Sequence, residues 1–96
     1  MTAFSIAHVE IRDGDAMARY SEIAGRVIVA HGGRFLFAGV PEVAEGQWPS
    51  GRVIAVFEFP SMAELRSWYD SPEYAEARRI GETAFQRELL FVDASA

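Results

Sequence analysis

The chain has 96 residues, half of them hydrophobic, and carries a formal net charge of −5. A chain of this length forms one domain, here residues 1–96, and buries roughly 60–70% of its extended surface on folding. The acidic balance argues against a nucleic-acid partner, which needs a basic stripe, and no apolar run approaches the roughly 20 residues that span a bilayer. The absence of cysteine excludes disulfides and thiolate metal sites and suits a cytoplasmic location.

The first third of the chain predicts a strand followed by an amphipathic helix. Residues 4–11 alternate loosely between apolar and polar side chains, as a strand does. Either Asp13 or Asp15 is placed to cap the following helix, whose apolar residues recur at helical spacing as far as Ile28. Gly32 then supplies the left-handed residue that commonly ends a helix.

Two strands and a loop are predicted in the middle of the chain. Residues 34–38 form the second strand, and the segment 39–41, which contains a glycine and a proline, interrupts it as a bulge or kink. Residues 42–45 then resume an extended path, and residues 46–51 form a loop. The third strand, residues 52–59, is a run of β-branched and aromatic side chains.

A proline and two serines mark the start of two consecutive helices. Pro60 cannot donate a hydrogen bond to a neighbouring strand, so the third strand ends there. Ser61 and Glu64 form a capping box, and Ser71 caps a second helix with Pro72 at its first position. The helices are expected over residues 62–69 and 72–85, and the last strand over residues 88–93.

The predicted element order is β-α-β-β-α-β, with the second helical element split in two. This is the ferredoxin-like pattern of the α+β class, an antiparallel sheet in strand order 4-1-3-2 with helices on one face. Residues 53–59 and 88–93 are largely apolar at both sets of alternating positions, so the helices leave an apolar face uncovered. A homodimer formed through the sheet faces is expected, because a large exposed apolar patch invites aggregation.

Four segments distributed along this order resemble those of the DUF1330 family. They are His31-Gly32-Gly33-Arg34-Phe35, Glu45-Gly46-Gln47-Trp48, Glu58-Phe59-Pro60-Ser61 and Trp68-Tyr69-Asp70-Ser71-Pro72-Glu73-Tyr74. The resemblance implies membership of the dimeric α/β-barrel superfamily, in which two ferredoxin-like subunits pack sheet against sheet. That superfamily includes small monooxygenases, isomerases and stress-responsive proteins, whereas the DUF1330 family implies no particular substrate or reaction.

His8 and Glu58 are the candidate catalytic residues. His8 lies in the middle of the first strand, where it serves either as a general base or as a histidine held by a carboxylate or carbonyl at the dimer interface. Glu58 is a carboxylate inside an apolar strand, and burying it without a partner is costly. Either it pairs with Arg34 or His8, or it acts as an acid–base group. The first and third strands are expected to be neighbours, which allows His8 and Glu58 to share one sheet face.

Arg34 and Trp48 are the candidate ligand-binding residues. Arg34 is able to hold a ligand carboxylate through two hydrogen bonds, or to hold Glu58 or Glu45 in place. Trp48 either covers a pocket or seals a sheet edge. The histidines and acidic residues make no recognisable metal-binding spacing, and nothing indicates flavin, haem or nicotinamide, so neither metal nor cofactor is expected.

Two functions are compatible with these observations. The first is a homodimeric protein that binds a small organic molecule, without catalysis, in a pocket between sheet and helices. The alternative is a cofactor-free enzyme of the monooxygenase or isomerase type that uses His8, Arg34 and Glu58. A cavity that reaches His8 or Glu58 would favour the enzyme.

Overall fold

The sheet of this protein has four antiparallel strands in the order β2-β3-β1-β4. The computed structural model describes residues 2–48 and 51–94. Its elements are β1 (Ala3–Ile11), α1 (Gly14–Ala30), β2 (Arg34–Gly39), β3 (Val53–Phe59), α2 (Met62–Asp70), α3 (Pro72–Ala84) and β4 (Phe85–Asp93). The α+β ferredoxin-like prediction and its strand order are therefore confirmed. No helix in the described part of the chain is long and apolar enough to cross a membrane.

Side-chain caps fix where the helices begin. The Asp13 side chain accepts hydrogen bonds from the backbone N–H groups of Asp15 and Ala16, so Asp13 is the cap of α1. Ser61 Oγ accepts from Glu64 N at the start of α2. Ser71 separates the last two helices: its hydroxyl accepts from the backbone N–H of the third residue of α3 and donates to the last turn of α2.

Two features of the second strand differ from those predicted. The irregularity in β2 lies between Phe35 and Phe37, not at residues 39–41, because consecutive residues of β3 pair with these two and leave Leu36 as the extra residue. No strand is formed over residues 40–48, and residues 49 and 50 of the predicted loop lie outside the described residues.

The last strand begins at Phe85, three residues before its predicted start. The reason is the length of β1, which continues to Ile11 and offers Phe85 and Gln86 backbone partners in the ladder. The predicted helix over residues 72–85 accordingly ends at Ala84. Local sequence favoured one more helical residue, and pairing with β1 outweighed it.

The helices cover one face of the sheet. The residues of β1 that alternate from Ala3 to Val9 point toward them and are buried. Phe59 stacks on Trp68 with ring centroids 5.3 Å apart, and Tyr74 completes the fully buried aromatic centre of the core. This face therefore has its hydrophobic partners within the chain.

The opposite face, which we call the outer face, has no such cover. Its centre is an apolar row in which Ile6 lies between Val56 and Leu90. Leu90 is 59% exposed and Phe37 is 55% exposed. Strands β2 and β4 are free edges, so the sheet of a single chain does not close into a barrel.

Candidate functional site

His8 and Trp48 lie together at one end of the outer face. The strand register places His8 opposite Glu88 of β4, and His8 Nδ1 lies 3.1 Å from Glu88 Oε1. Because a carboxylate accepts hydrogen bonds, Nδ1 carries the proton in this contact. The Trp48 ring packs against the imidazole, with the two ring centroids 4.4 Å apart. Nε2 of His8 is buried and has no hydrogen-bond partner among the described residues.

The charges around His8 neutralise one another. Arg52 Nη1 donates to Glu88 Oε1 over 2.9 Å, and Arg52 Nε lies 4.0 Å from a carboxylate oxygen of Glu10. Glu10 in turn accepts from Arg12 Nε over 3.2 Å. His8 is one member of this network of alternating charges. Of the two roles considered for His8, its contact with Glu88 matches that of a histidine held by a carboxylate.

Arg34 and Glu58 form a second, separate pair on the outer face. They are opposite each other in the β2–β3 ladder, and Arg34 Nε donates to Glu58 Oε1 over 2.6 Å. Of the two partners that the sequence left open for Glu58, the structure therefore shows Arg34. His8 is opposite Ile54, which is four residues from Glu58 along β3. Four residues of an extended strand span about 13 Å, so His8 and Glu58 are too far apart to contact each other.

A cavity of about 320 Å³ lies on the other side of the sheet, between the sheet and α1. Its walls are mainly apolar; they include Ala24, Gly25 and Ile28 from α1 and Val9, Ala55 and Phe57 from the sheet. The structure thus contains a pocket at the predicted place. None of His8, Arg34, Glu58 and Trp48 lines it, because side chains alternate between faces along a strand and these residues belong to the outer face.

One end of this cavity is polar. Arg87 of β4 and Tyr20 of α1 both line it. Arg87 Nη1 donates to Tyr20 Oη over 2.9 Å, and Nη2 donates to Tyr74 Oη over 2.6 Å. The two tyrosine hydroxyls lie 2.6 Å apart. We call these three residues the Arg–Tyr cluster.

The Arg–Tyr cluster combines a fixed cation with neutral hydroxyls. Burial, together with the adjacent Tyr74, raises the pKa of the Tyr20 hydroxyl well above its usual range, so Tyr20 stays protonated at neutral pH. Burial lowers the pKa of Arg87, but the two tyrosines more than offset this, and its pKa lies above the usual value. Arg87 is therefore a charged donor in a poorly solvated site.

The Arg–Tyr cluster was not among the site residues predicted from the sequence. Tyr20 was predicted only as an apolar residue of the first helix, and Arg87 fell between the predicted end of the last helix and the predicted start of the last strand. The sequence does contain a signal. Arg87 occupies the same set of alternating strand positions as the apolar residues Phe85, Leu89 and Phe91. An arginine on the apolar side of a strand is unusual enough to mark a site.

A comparison with protein families places this chain in one of them. Residues 2–95 match the family described as "Domain of unknown function (DUF1330)". The chain belongs to the DUF1330 family. The resemblance seen in the sequence is thereby confirmed for nearly the whole chain, and no curated protein matches it closely enough to add an activity to this DUF1330 protein.

Solved structures similar to this DUF1330 protein share its fold at low sequence identity. A protein of unknown function from Rhodopseudomonas palustris is 19% identical, with a TM-score of 0.81 over 99% of this chain and 83% of that one. A hydroxynitrile lyase from Passiflora edulis is 11% identical, with a TM-score of 0.71 over 98% and 94% of the two chains. A dimeric ferredoxin-like protein of unknown function from Thermobifida fusca is 16% identical, with a TM-score of 0.63 over 97% and 91%.

Proposed function

We propose that this protein is a cytoplasmic homodimer that binds a small organic molecule in the cavity between α1 and the sheet. The observation that carries the proposal is the cavity itself, which has about 320 Å³ of space and an apolar wall with one polar end. Small-molecule sites typically have volumes of roughly 300–1,000 Å³ and combine an apolar lining with a few polar groups. His8, Arg34 and Glu58 lie outside the cavity, so the proposed function is binding.

Gly25 supports the proposal because it keeps the cavity wide at a cost in helix stability. It lies in the interior of α1, where glycine is about 1 kcal/mol less favourable than alanine. Apart from its chain neighbours and the backbone of its own helix, no atom of the described residues lies within 4 Å of the position that a Gly25 Cβ would occupy. Gly81 of α3 differs, since a Cβ there would lie 2.8 Å from the Phe85 ring. Packing thus explains Gly81, whereas Gly25 leaves open space.

The outer face supports the homodimer. Its exposed apolar side chains include Phe37, Leu90 and Val92, and the charges at its two ends already have partners in the same chain. A second copy of the same face offers a matching apolar surface, and two sheets pack face to face at a separation of about 10 Å. The Thermobifida fusca structure of this fold is dimeric, which also supports the proposal.

A binding experiment tests the cavity. We expect the ¹⁵N-labelled protein to bind 2-naphthamide, an uncharged probe, with saturable shifts of amide signals in α1. In Gly25→Leu the new side chain fills the space at the cavity wall, so these shifts are lost. Ala18→Leu is the matched control, because it adds an apolar side chain at an exposed position of the same helix. Equal binding by Gly25→Leu and the wild type would contradict the proposal.

Light scattering after size-exclusion chromatography tests the dimer. The wild type is expected at about twice the chain mass of 10.6 kDa. Leu90→Arg places a charge in the centre of the outer face and should give a monomer, or aggregates of a chain whose apolar face is uncovered. Val29→Arg is the matched control, since Val29 is 70% exposed on α1, away from the outer face. A wild-type monomer at micromolar concentration would refute the homodimer.

A further inference from the structure

We infer that the ligand of the cavity is a small organic acid, whose carboxylate is bound by Arg87 and Tyr20 while its apolar body fills the remaining space. This inference rests on the proposed binding function and adds the chemical class of the ligand. It follows from the charge and the hydrogen bonds of the Arg–Tyr cluster.

The charge of Arg87 has no counterpart within the described residues. On the outer face, Arg12, Arg34 and Arg52 each lie beside a carboxylate. Arg87 instead contacts two neutral hydroxyls and the faces of two rings, with its Cζ 4.7 Å from the Phe85 centroid and 5.5 Å from the Tyr20 centroid. Ring contacts compensate a desolvated cation only in part. An unpaired charge in a poorly solvated site is costly, so an anionic ligand would stabilise this end of the cavity.

The direction of the tyrosine hydrogen bonds leaves a donor aimed at the ligand. Tyr74 is fully buried, and its hydroxyl contacts Arg87, which only donates, and Tyr20. The Tyr74 O–H therefore donates to Tyr20 Oη. Tyr20 Oη then accepts from both Tyr74 and Arg87, which uses both of its lone pairs. Its own proton has no partner in the cluster, and Tyr20 lines the cavity.

The donors that remain at this end of the cavity require an acceptor. Arg87 uses two N–H groups in the cluster, and an arginine carries five. Arg87 and the free Tyr20 O–H therefore bring several donors and one positive charge to the cavity lining, whereas Tyr20 Oη has no lone pair left to accept from a ligand. A carboxylate only accepts, carries the opposite charge and matches the planar guanidinium, whereas an amine would be repelled.

The surroundings of Arg87 also favour an anion. On its other side Arg87 borders an open groove that is lined by Arg78, Arg79 and Glu82. Two of these three charged neighbours are cationic, and Arg87 forms no ion pair with Glu82. Apart from Ser21, the side chains of the rest of the cavity wall are apolar, so the ligand class is an aromatic or branched aliphatic body with one carboxylate.

Isothermal titration calorimetry with two probes of the same shape tests the inference. At pH 7 we expect the wild type to bind 2-naphthoate at least tenfold more tightly than the neutral 2-naphthamide. Arg87→Gln should remove this preference, because the cation that distinguishes the carboxylate from the amide is no longer present. Tyr20→Phe, which keeps the ring and removes the free O–H, should weaken naphthoate binding several-fold and amide binding less, because a hydrogen bond to a charged acceptor is stronger than one to a neutral carbonyl.

The outcomes separate this inference from the proposed function. Equal affinity of the wild type for both probes would overturn the inference that the ligand carries a carboxylate, but it would leave the proposed binding cavity intact. Failure of both probes to bind overturns the cavity function and this inference with it. If Arg87→Gln does not fold, the NMR signal of the Arg87 Nε–H group in the wild type is measured instead. A shift of this signal with 2-naphthoate and none with 2-naphthamide supports the contact between Arg87 and the carboxylate. Equal shifts with both probes overturn it.

Discussion

Replacing Gly25 should make the protein more stable while it abolishes ligand binding. Gly25→Ala removes the helix penalty of glycine and should raise the free energy of unfolding by about 1 kcal/mol. No described residue outside the neighbouring turns of α1 lies within 4 Å of the new Cβ, so no tertiary clash offsets this gain. Gly25→Leu adds three more carbons that enter the cavity at about 0.8 kcal/mol each, less about 0.5–1 kcal/mol of side-chain entropy. The total gain for Gly25→Leu is then about 2–3 kcal/mol.

Urea unfolding followed by circular dichroism measures these differences. The wild type, Gly25→Ala and Gly25→Leu should be compared at one protein concentration, because the stability of a dimer depends on concentration. The melting temperature of Gly25→Ala should rise by about 4–8 °C, and that of Gly25→Leu further. Ala18→Leu should change the stability by less than about 0.5 kcal/mol. A Gly25→Leu variant no more stable than Gly25→Ala would refute the reasoning, since the cavity would not accept the side chain.

Three further substitutions should give different results. Gly33→Ala should destabilise the protein by about 1–3 kcal/mol, because a Cβ there would lie 2.6 Å from the Phe59 ring; a melting temperature equal to that of the wild type would contradict this. Ser71→Ala removes a buried cap that accepts one hydrogen bond and donates another, and a loss of about 1–2 kcal/mol is expected in urea unfolding. Glu58→Gln should cost less than about 1 kcal/mol, because the Arg34 side chain is 71% exposed; a larger loss in the same assay would show that the pair is desolvated.

The candidate site was predictable only in part. The sequence indicated a pocket between sheet and helices and drew attention to His8 and Glu58, since a polar side chain in an apolar strand stands out. It did not show that these residues belong to the outer face, because alternation separates two faces without saying which of them meets the helices. Arg87 was missed for a related reason: its strand starts three residues earlier than local preferences suggest, where β1 supplies the pairing.

The sequence by itself determined the local features of this protein: the element order, the caps Ser61 and Ser71, and apolar side chains at both sets of alternating strand positions. These signals act between residues a few positions apart, so they can be read along the chain. Only the tertiary structure decided the Arg–Tyr cluster, whose hydrogen bonds join Tyr20 to residues 54 and 67 positions away. Contacts over such distances depend on strand register and on how α1 and α3 pack, and small differences in pairing energy along whole strands settle both.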